Sequence, residues 1–231
     1  MTPELKLQAV ETRLGRQDFH YDFAVDGPGI VAISGPSGAG KSTLFHLIAG
    51  FETPANGRIV MNGVDVASLP PGKRPLTYIF QDHNLFAHLD VFTNVALGIS
   101  PSLRLTDSDR RRIADALDDV GLGGFGKRMT QQLSGGERQR VAFARVLLRK
   151  RPFLLLDEAF ASLDRALRQS LGDLLLRLQQ NGDMMVLMIS HDRDEILRLA
   201  GRVIEIRNGR NVFAGETRLW RQFANSTDRG Q

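Results

Sequence analysis

Cysteine is absent from the 231 residues, which rules out disulfides and thiolate metal sites and is compatible with a reducing compartment. Long apolar runs are absent as well. The longest are pieces such as VLMI and FLLL, far short of the ~20 residues needed to cross a bilayer. The opening stretch MTPELKLQAVE holds no apolar h-region, so no signal peptide is expected. Any membrane this chain serves is spanned by another chain. No charge of one sign dominates: 30 Lys and Arg stand against 26 Asp and Glu, a net +4. The two signs are interleaved and no basic stripe carries aromatics, so a mildly basic solvated surface is expected and a nucleic-acid partner is not. Internal repeats and low-complexity tracts are also missing. What remains, 42% hydrophobic and 24% charged, is the composition of a soluble globular chain able to bury a substantial core.

Residues 5–9 and 19–25 alternate apolar and polar, with Phe19, Tyr21, Phe23 and Val25 on one face, and predict two half-exposed strands. GIVAISG predicts a buried strand running into GPSGAGKST, and TLFHLIAG a helix that stops at Gly50. Asn62-Gly63 and Asn208-Gly209 predict the turns of two hairpins, in RIVMNGVDV and RVIEIRNGRNVF. LTYIF predicts a strand ending at Gln81. From about 83 to 151 the texture turns helical, with TDSDRRRIADALDDVGL carrying a capping-type start and RVAFARVLLRK a second helix. FLLLDE and MMVLMIS then predict buried strands flanking the amphipathic LRQSLGDLLLRLQQ. The final NSTDRGQ is polar and expected to fray.

The chemistry begins at residues 35–43. GPSGAGKST fits G-x-x-x-x-G-K-[ST] between a predicted strand and a predicted helix. Gly35, Pro36, Ser37, Gly38, Ala39 and Gly40 would wrap backbone N–H groups around phosphate oxygens at a helix N-terminus. Lys41 would reach the β- and γ-phosphates of ATP, Ser42 would coordinate Mg²⁺, and Thr43 closes the motif. The pattern arises by chance in roughly 1% of chains of this size, and far less often in this setting. FLLLDE supplies the second half of an NTPase, with Asp157 for the metal and Glu158 for a water attacking the γ-phosphate. An acidic pair alone only marks a strand end; the phosphate loop upstream reverses that reading. Gln81 and His191 follow strands in IFQ and MISH. Ligands of open α/β sheets bind outside the carboxyl ends of strands, where Gln81, Asp157, Glu158 and His191 are expected to converge.

LSGGE, residues 133–137, adds a second anion grip ahead of a helix. No N-K-x-D guanine reader is present, and a small-molecule kinase would need a lid with arginines instead. GPSGAGKST, IFQ, LSGGE, the aspartate-glutamate pair, ASLD and SHD, in this order, resemble the ATP-binding subunits of ABC transporters over about residues 4–220. That resemblance implies a P-loop NTPase α/β fold with an antiparallel β subdomain and a helical signature subdomain. It divides the chain into a core at 1–82 and 152–220, a helical part at about 83–151, and a polar tail at 221–231. It also implies a head-to-tail homodimer in which Leu133, Ser134, Gly135, Gly136 and Glu137 of one copy, with Asp164, meet the nucleotide held by the other.

The resemblance further makes Gln81 a metal- or water-contacting residue that reports to a membrane permease, and His191 a γ-phosphate contact. Leu85 and Phe86 would line the permease groove. Three departures stand out. Glu137 replaces the usual Gln, Ala159 the usual Pro, and no aromatic lies between Gln8 and Asp18 to stack on adenine, leaving Phe19 as a substitute candidate. IAGFETPANGRIVMNGVDV, LPPGKRPLTYIFQDHNLFAHLDVFTNVALGI and DRALRQSLGDLL are similar to the thiamine-importer ATPases of Gram-negative bacteria. This implies a peripheral subunit on the cytoplasmic face of the inner membrane, working under a permease supplied by a periplasmic binding protein. A soluble ABC ATPase acting on DNA or ribosomes is the rival class, but it usually carries coiled-coil, zinc or tandem-cassette elements that this chain lacks. A non-catalytic nucleotide-binding subunit would not need Lys41, Asp157, Glu158 and His191 together.

Overall fold

The computed structural model describes residues 2–80, 85–161, 163–180 and 183–228. The two alternating segments form the antiparallel pair β1 (Glu4–Leu14) and β2 (Gln17–Asp26). β1 runs to Leu14 instead of ending at residue 9 because a bulge lies between Leu7 and Val10, with Ala9 at φ +45°. The extra residue shifts the alternation by one, so Leu5, Leu7, Val10 and Thr12 all turn inward while the sequence period breaks. Gly57 crosses at the bulge, where a Cβ would lie 2.3 Å from the Ala9 carbonyl oxygen.

β4 (Asn56–Met61) and β5 (Val64–Asp65) form the first expected hairpin, β9 (Arg202–Arg207) and β10 (Arg210–Glu216) the second. Both turns are Asn-Gly with φ positive at each residue, the backbone that suits a twisted two-residue hairpin. β3 (Gly29–Ser34), β7 (Phe153–Asp157) and β8 (Met185–Ile189) are the continuously apolar strands, and they pair in parallel. With β6 (Leu76–Ile79) they complete, among the described residues, one ten-stranded sheet ordered β5-β4-β1-β2-β10-β9-β3-β8-β7-β6. The antiparallel and parallel parts are thus two wings of a single sheet.

The chain divides into two compact units. One holds Met1–Tyr78, Pro152–Asp157 and Gln179–Gln231. Its α1 (Lys41–Ala49) ends at Gly50, whose φ of +85° and bond to the His46 carbonyl close the helix. Arg74, only 2% exposed, caps the same end: its guanidinium donates to the carbonyls of Leu47, Ile48, Ala67 and Leu69. Burial lowers its pKa to about 10, still charged at neutral pH and well suited to a helix C-terminus. Two helices of this unit escape the periodicity reading, α6 (Arg193–Leu199) and α7 (Thr217–Asp228). α7 carries the polar end as helix up to Asp228, where fraying was expected, anchored by Trp220, whose ring N–H donates to Glu205 at 2.8 Å.

The other unit holds Ile79–Arg151 and Glu158–Leu178. It contains α2 (Val91–Ala96), α3 (Asp107–Asp119), α4 (Gly135–Arg149) and most of α5 (Arg165–Gln180). α3 opens on a capping box between Thr106 and Asp109, as its sequence predicts. Buried Asn94 ties the start of this unit together. Its amide donates to the carbonyls of Phe86, Leu89 and Asp90, and its oxygen accepts from the Phe86 amide and the Arg145 guanidinium.

Candidate active site

Parallel register sets the geometry. Asp157 pairs with Ile189, and Ile189 pairs with Ile33, so the carboxyl ends of β7, β8 and β3 finish in one row. At ~4.8 Å between strands, Asp157 lies about 10 Å across the sheet from Ile33. Immediately beyond that row come the phosphate loop after β3, Ser190 and His191 after β8, and Glu158 after β7. Asp157 and the backbone leading to His191 thus lie along the sheet edge where the sequence places its candidate site. Gln81 falls outside the described residues.

The loop 35–40 is forced open by its glycines. At Gly35 (φ +138°) a Cβ would lie 2.1 Å from the Ile206 carbonyl oxygen, so no other residue fits between loop and β9. At Gly40 (φ +110°) it would lie 2.6 Å from the Tyr21 hydroxyl and 2.8 Å from the Phe19 ring. Tyr21 donates to the Gly40 carbonyl at 2.8 Å, and burial keeps its hydroxyl protonated by raising its pKa. Gly209 donates to the Ala39 carbonyl at 2.9 Å. Pro36, Ser37, Gly38 and Ser42 remain exposed, Thr43 is partly buried, and α1 begins at Lys41 with its first-turn N–H groups directed into the loop. Lys41 is buried, and its ammonium donates to the Gly35 and Pro36 carbonyls at 2.8 Å each. The cation is therefore folded back across the cradle, where an anion would meet it.

Phe19 does not serve as an open aromatic platform. It is 5% exposed and forms the floor under Gly40, stacked on Tyr21. Leu14 takes the outer position instead. Register pairs Thr12 with Phe19 and Leu14 with Gln17, so Leu14 shares the loop-facing side of the sheet with Phe19 and Tyr21. It is 36% exposed, and Gln17 opposite it donates to the Gly38 carbonyl. Sequence reasoning passed over Leu14 because it looked only for aromatics.

Asp157 accepts a hydrogen bond from Tyr78 at 2.9 Å, and burial together with this carboxylate raises the tyrosine pKa, so the donor stays protonated. Tyr78 was legible in LTYIF only as a strand residue; 79 positions separate the pair. Glu158 has φ +47°, a left-handed backbone unusual outside glycine, asparagine and aspartate. Its carbonyl accepts from the Ala161 amide, and Ala159 is buried.

In the second unit, Ser134 is the N-cap of α4. Its hydroxyl oxygen accepts from the Glu137 amide (3.2 Å), while the Glu137 carboxylate accepts from the Ser134 amide (2.7 Å). Glutamate at 137 thus performs the capping-box role that a glutamine could also fill. The bonds to Ser134 hold the Glu137 pKa below its ordinary range. Ser134 is exposed, Gly135 and Gly136 partly so, and Leu133 is buried beneath them, anchoring the motif with its side chain. Asp164 is exposed and caps α5, its carboxylate accepting from the Leu167 amide at 2.9 Å.

A family model described as ABC transporter matches residues 20–161. The chain belongs to that family. The ABC chain is 53% identical over 212 residues to the thiamine import ATP-binding protein ThiQ of Brucella suis, covering 92% of this chain and 88% of that protein. It is 42% identical over 213 residues to the protein of the same name from Shigella boydii, covering 92% of each. Among solved structures, CbiO1 from Clostridium perfringens, part of the ABC transporter complex CbiONQ, matches with a TM-score of 0.84 at 26% identity, over 98% of this chain and 92% of that one. The ATP-binding cassette MJ0796, dimeric in a post-hydrolysis state with ADP and phosphate, matches at 0.79 and 26%, over 92% and 98%. This ABC chain is accordingly an ATP-binding, ATP-hydrolysing cassette.

Proposed function

We propose that the chain is the ATP-hydrolysing subunit of a bacterial thiamine importer and works as a head-to-tail homodimer. The observation that supports the catalytic part is the row formed by the ends of β3, β7 and β8: the glycine-rich loop follows β3, Asp157 ends β7 with Glu158 next in the chain, and His191 lies two residues past β8. The two relatives named for thiamine import support the substrate. In this reading the loop amides and Lys41 bind the phosphates, Glu158 takes the proton of the attacking water, and His191 holds the γ-phosphate. Ser134, Gly135 and Gly136 grip the γ-phosphate held by the other copy, with Asp164 at the seam. Two anion grips and one carboxylate pair per chain are what such a dimer requires.

The oxygen donors fit Mg²⁺. Ser42 is exposed at the first turn of α1, and Asp157 is oriented by Tyr78. Mg²⁺ commonly takes one or two protein oxygens and completes its shell with phosphate and water. When bound, the ion would neutralise phosphate charge; Gln81 is assigned to its neighbourhood by resemblance. Leu14 offers the adenine an apolar surface in place of a stacking ring.

No helix among the described residues is long and apolar enough to cross a membrane. The assigned position is the cytoplasmic face of the inner membrane, under permease subunits fed by a periplasmic binding protein. Among the described residues Phe51, 50% exposed, and Phe86, 48% exposed, offer apolar surface to such a partner. The test is uptake of labelled thiamine by cells lacking their own copy, complemented with the wild type or with Glu158→Gln. Uptake restored by the wild type alone carries the whole reading. ATP hydrolysis without restored uptake by either form rejects thiamine and leaves the ATPase standing.

A further inference from the structure

One buried acid has no part in the chemistry above. Glu195, in α6, is 8% exposed, and its carboxylate accepts a 2.5 Å hydrogen bond from the hydroxyl of Ser190, itself 4% exposed. Ser190 immediately precedes His191. Its hydroxyl oxygen also accepts from the amide of Asp192, immediately after the histidine, at 3.1 Å. The Ser190 amide donates to the Ile33 carbonyl of β3 at 3.3 Å, two residues before the phosphate loop opens. Asp192 closes the frame. Its carboxylate caps α6 by accepting from the Asp194 and Glu195 amides, and its carbonyl accepts from Ile196. Both neighbours of His191 are therefore tied down through one buried carboxylate–hydroxyl pair, while the imidazole side chain itself is exposed.

A buried carboxylate is costly to desolvate, and replacing a buried polar pair by well-packed apolar groups is often neutral or stabilising. Stability alone gives no reason for an acid here. A hydrogen bond to a hydroxyl does something an apolar contact cannot: it fixes the rotation of the Ser190 side chain, and with it the oxygen that receives the Asp192 amide. The backbone on both sides of the histidine is thereby held to one conformation. Positioned groups lose large factors in rate when displaced by even about 1 Å.

We propose that Glu195 is a positioning residue for His191, acting through Ser190 to hold the imidazole where the γ-phosphate must be met. This rests on the reading of His191 as a γ-phosphate contact. The test is steady-state ATP hydrolysis and thermal unfolding of the full chain with Mg²⁺, comparing Glu195→Leu, Glu195→Gln and His191→Ala, with Glu195→Leu also made in the His191→Ala background. Glu195→Leu is expected to melt within about 3 °C of the wild type and to lose about tenfold in kcat with KM for ATP changed by less than about twofold. Glu195→Gln, which keeps an acceptor for Ser190, recovers most of that loss. In the His191→Ala background Glu195→Leu has no further effect on kcat.

Should Glu195→Leu fail to fold, the pair Ser190→Ala with Glu195→Leu, which leaves neither polar group alone, takes its place in the same comparison. An unchanged kcat in a folded Glu195→Leu protein overturns the proposal, as does an equal loss in the His191→Ala background. If His191→Ala itself keeps wild-type turnover, the assignment of His191 fails instead, and the two failures are told apart by that single variant.

Discussion

Tyr78→Phe isolates one hydrogen bond at Asp157, the carboxylate proposed to hold Mg²⁺. The ring of Tyr78 packs edge-on against Phe45 (centroids 5.8 Å apart) and tilted against Phe51 (6.1 Å), and phenylalanine keeps both contacts. Only the hydroxyl that donates to Asp157 at 2.9 Å is removed. A hydrogen bond to a charged group is worth about 1.5–3 kcal/mol when buried. Asp157 is half-buried, so water recovers part of that, and about 1 kcal/mol is expected to be lost from folding, a fall of roughly 2–4 °C in Tm for a chain of this length. The larger effect falls on the ion. Groups that orient a metal-binding carboxylate typically contribute about 10–100-fold in affinity, equivalent to about 1.4–2.7 kcal/mol. Titrating ATP hydrolysis against free Mg²⁺ should therefore show the half-activation concentration rising at least about tenfold, with kcat largely restored at saturating Mg²⁺. A lower Tm with an unchanged Mg²⁺ requirement would mean that Tyr78 only fills space and that Asp157 needs no such guide.

Gly40→Ala should combine a left-handed backbone cost of about 1–2 kcal/mol with about 1–3 kcal/mol of overpacking against Tyr21 and Phe19. A fall in Tm of more than about 4 °C and a raised KM for ATP are expected, and wild-type values for both would refute the tight floor. Leu14→Ala should weaken ATP binding by about 1 kcal/mol, read as about a fivefold rise in KM, while Leu14→Phe lowers it; an unchanged KM in both removes Leu14 from the base site. Glu137→Gln probes the capping box. Because the Glu137 pKa is depressed from its ordinary 4.5, its carboxylate stabilises the fold above that value and loses the contribution as pH falls through the folded pKa. Thermal melts should show wild type above Glu137→Gln at pH 7 and the gap closing toward pH 3; a gap independent of pH contradicts the electrostatic cap.

The amino-acid sequence by itself determined the features that depend on a residue's own backbone freedom or on short periodicity. The glycines of the phosphate loop, the two Asn-Gly hairpins, the Gly50 helix stop and the capping starts of α3 and α4 are of this kind, because a positive φ or an N-cap is decided within a few residues. The buried strands β3, β7 and β8 were legible for the same reason, as unbroken apolar runs, and their shared register carries Asp157 and His191 to one edge. What only the tertiary structure decided are the partners of polar groups and the faces of strands interrupted by a bulge. Ala9 hid the true length of β1, and with it the inward face on which Leu14 lies. Phe19 turned out to be floor instead of platform. Arg74 reaches carbonyls 26 and 27 residues back, and Tyr78 finds Asp157 across two neighbouring strands. A hydrogen bond is specified by distance and angle in space, and no local pattern encodes which distant chain segment will arrive to complete it.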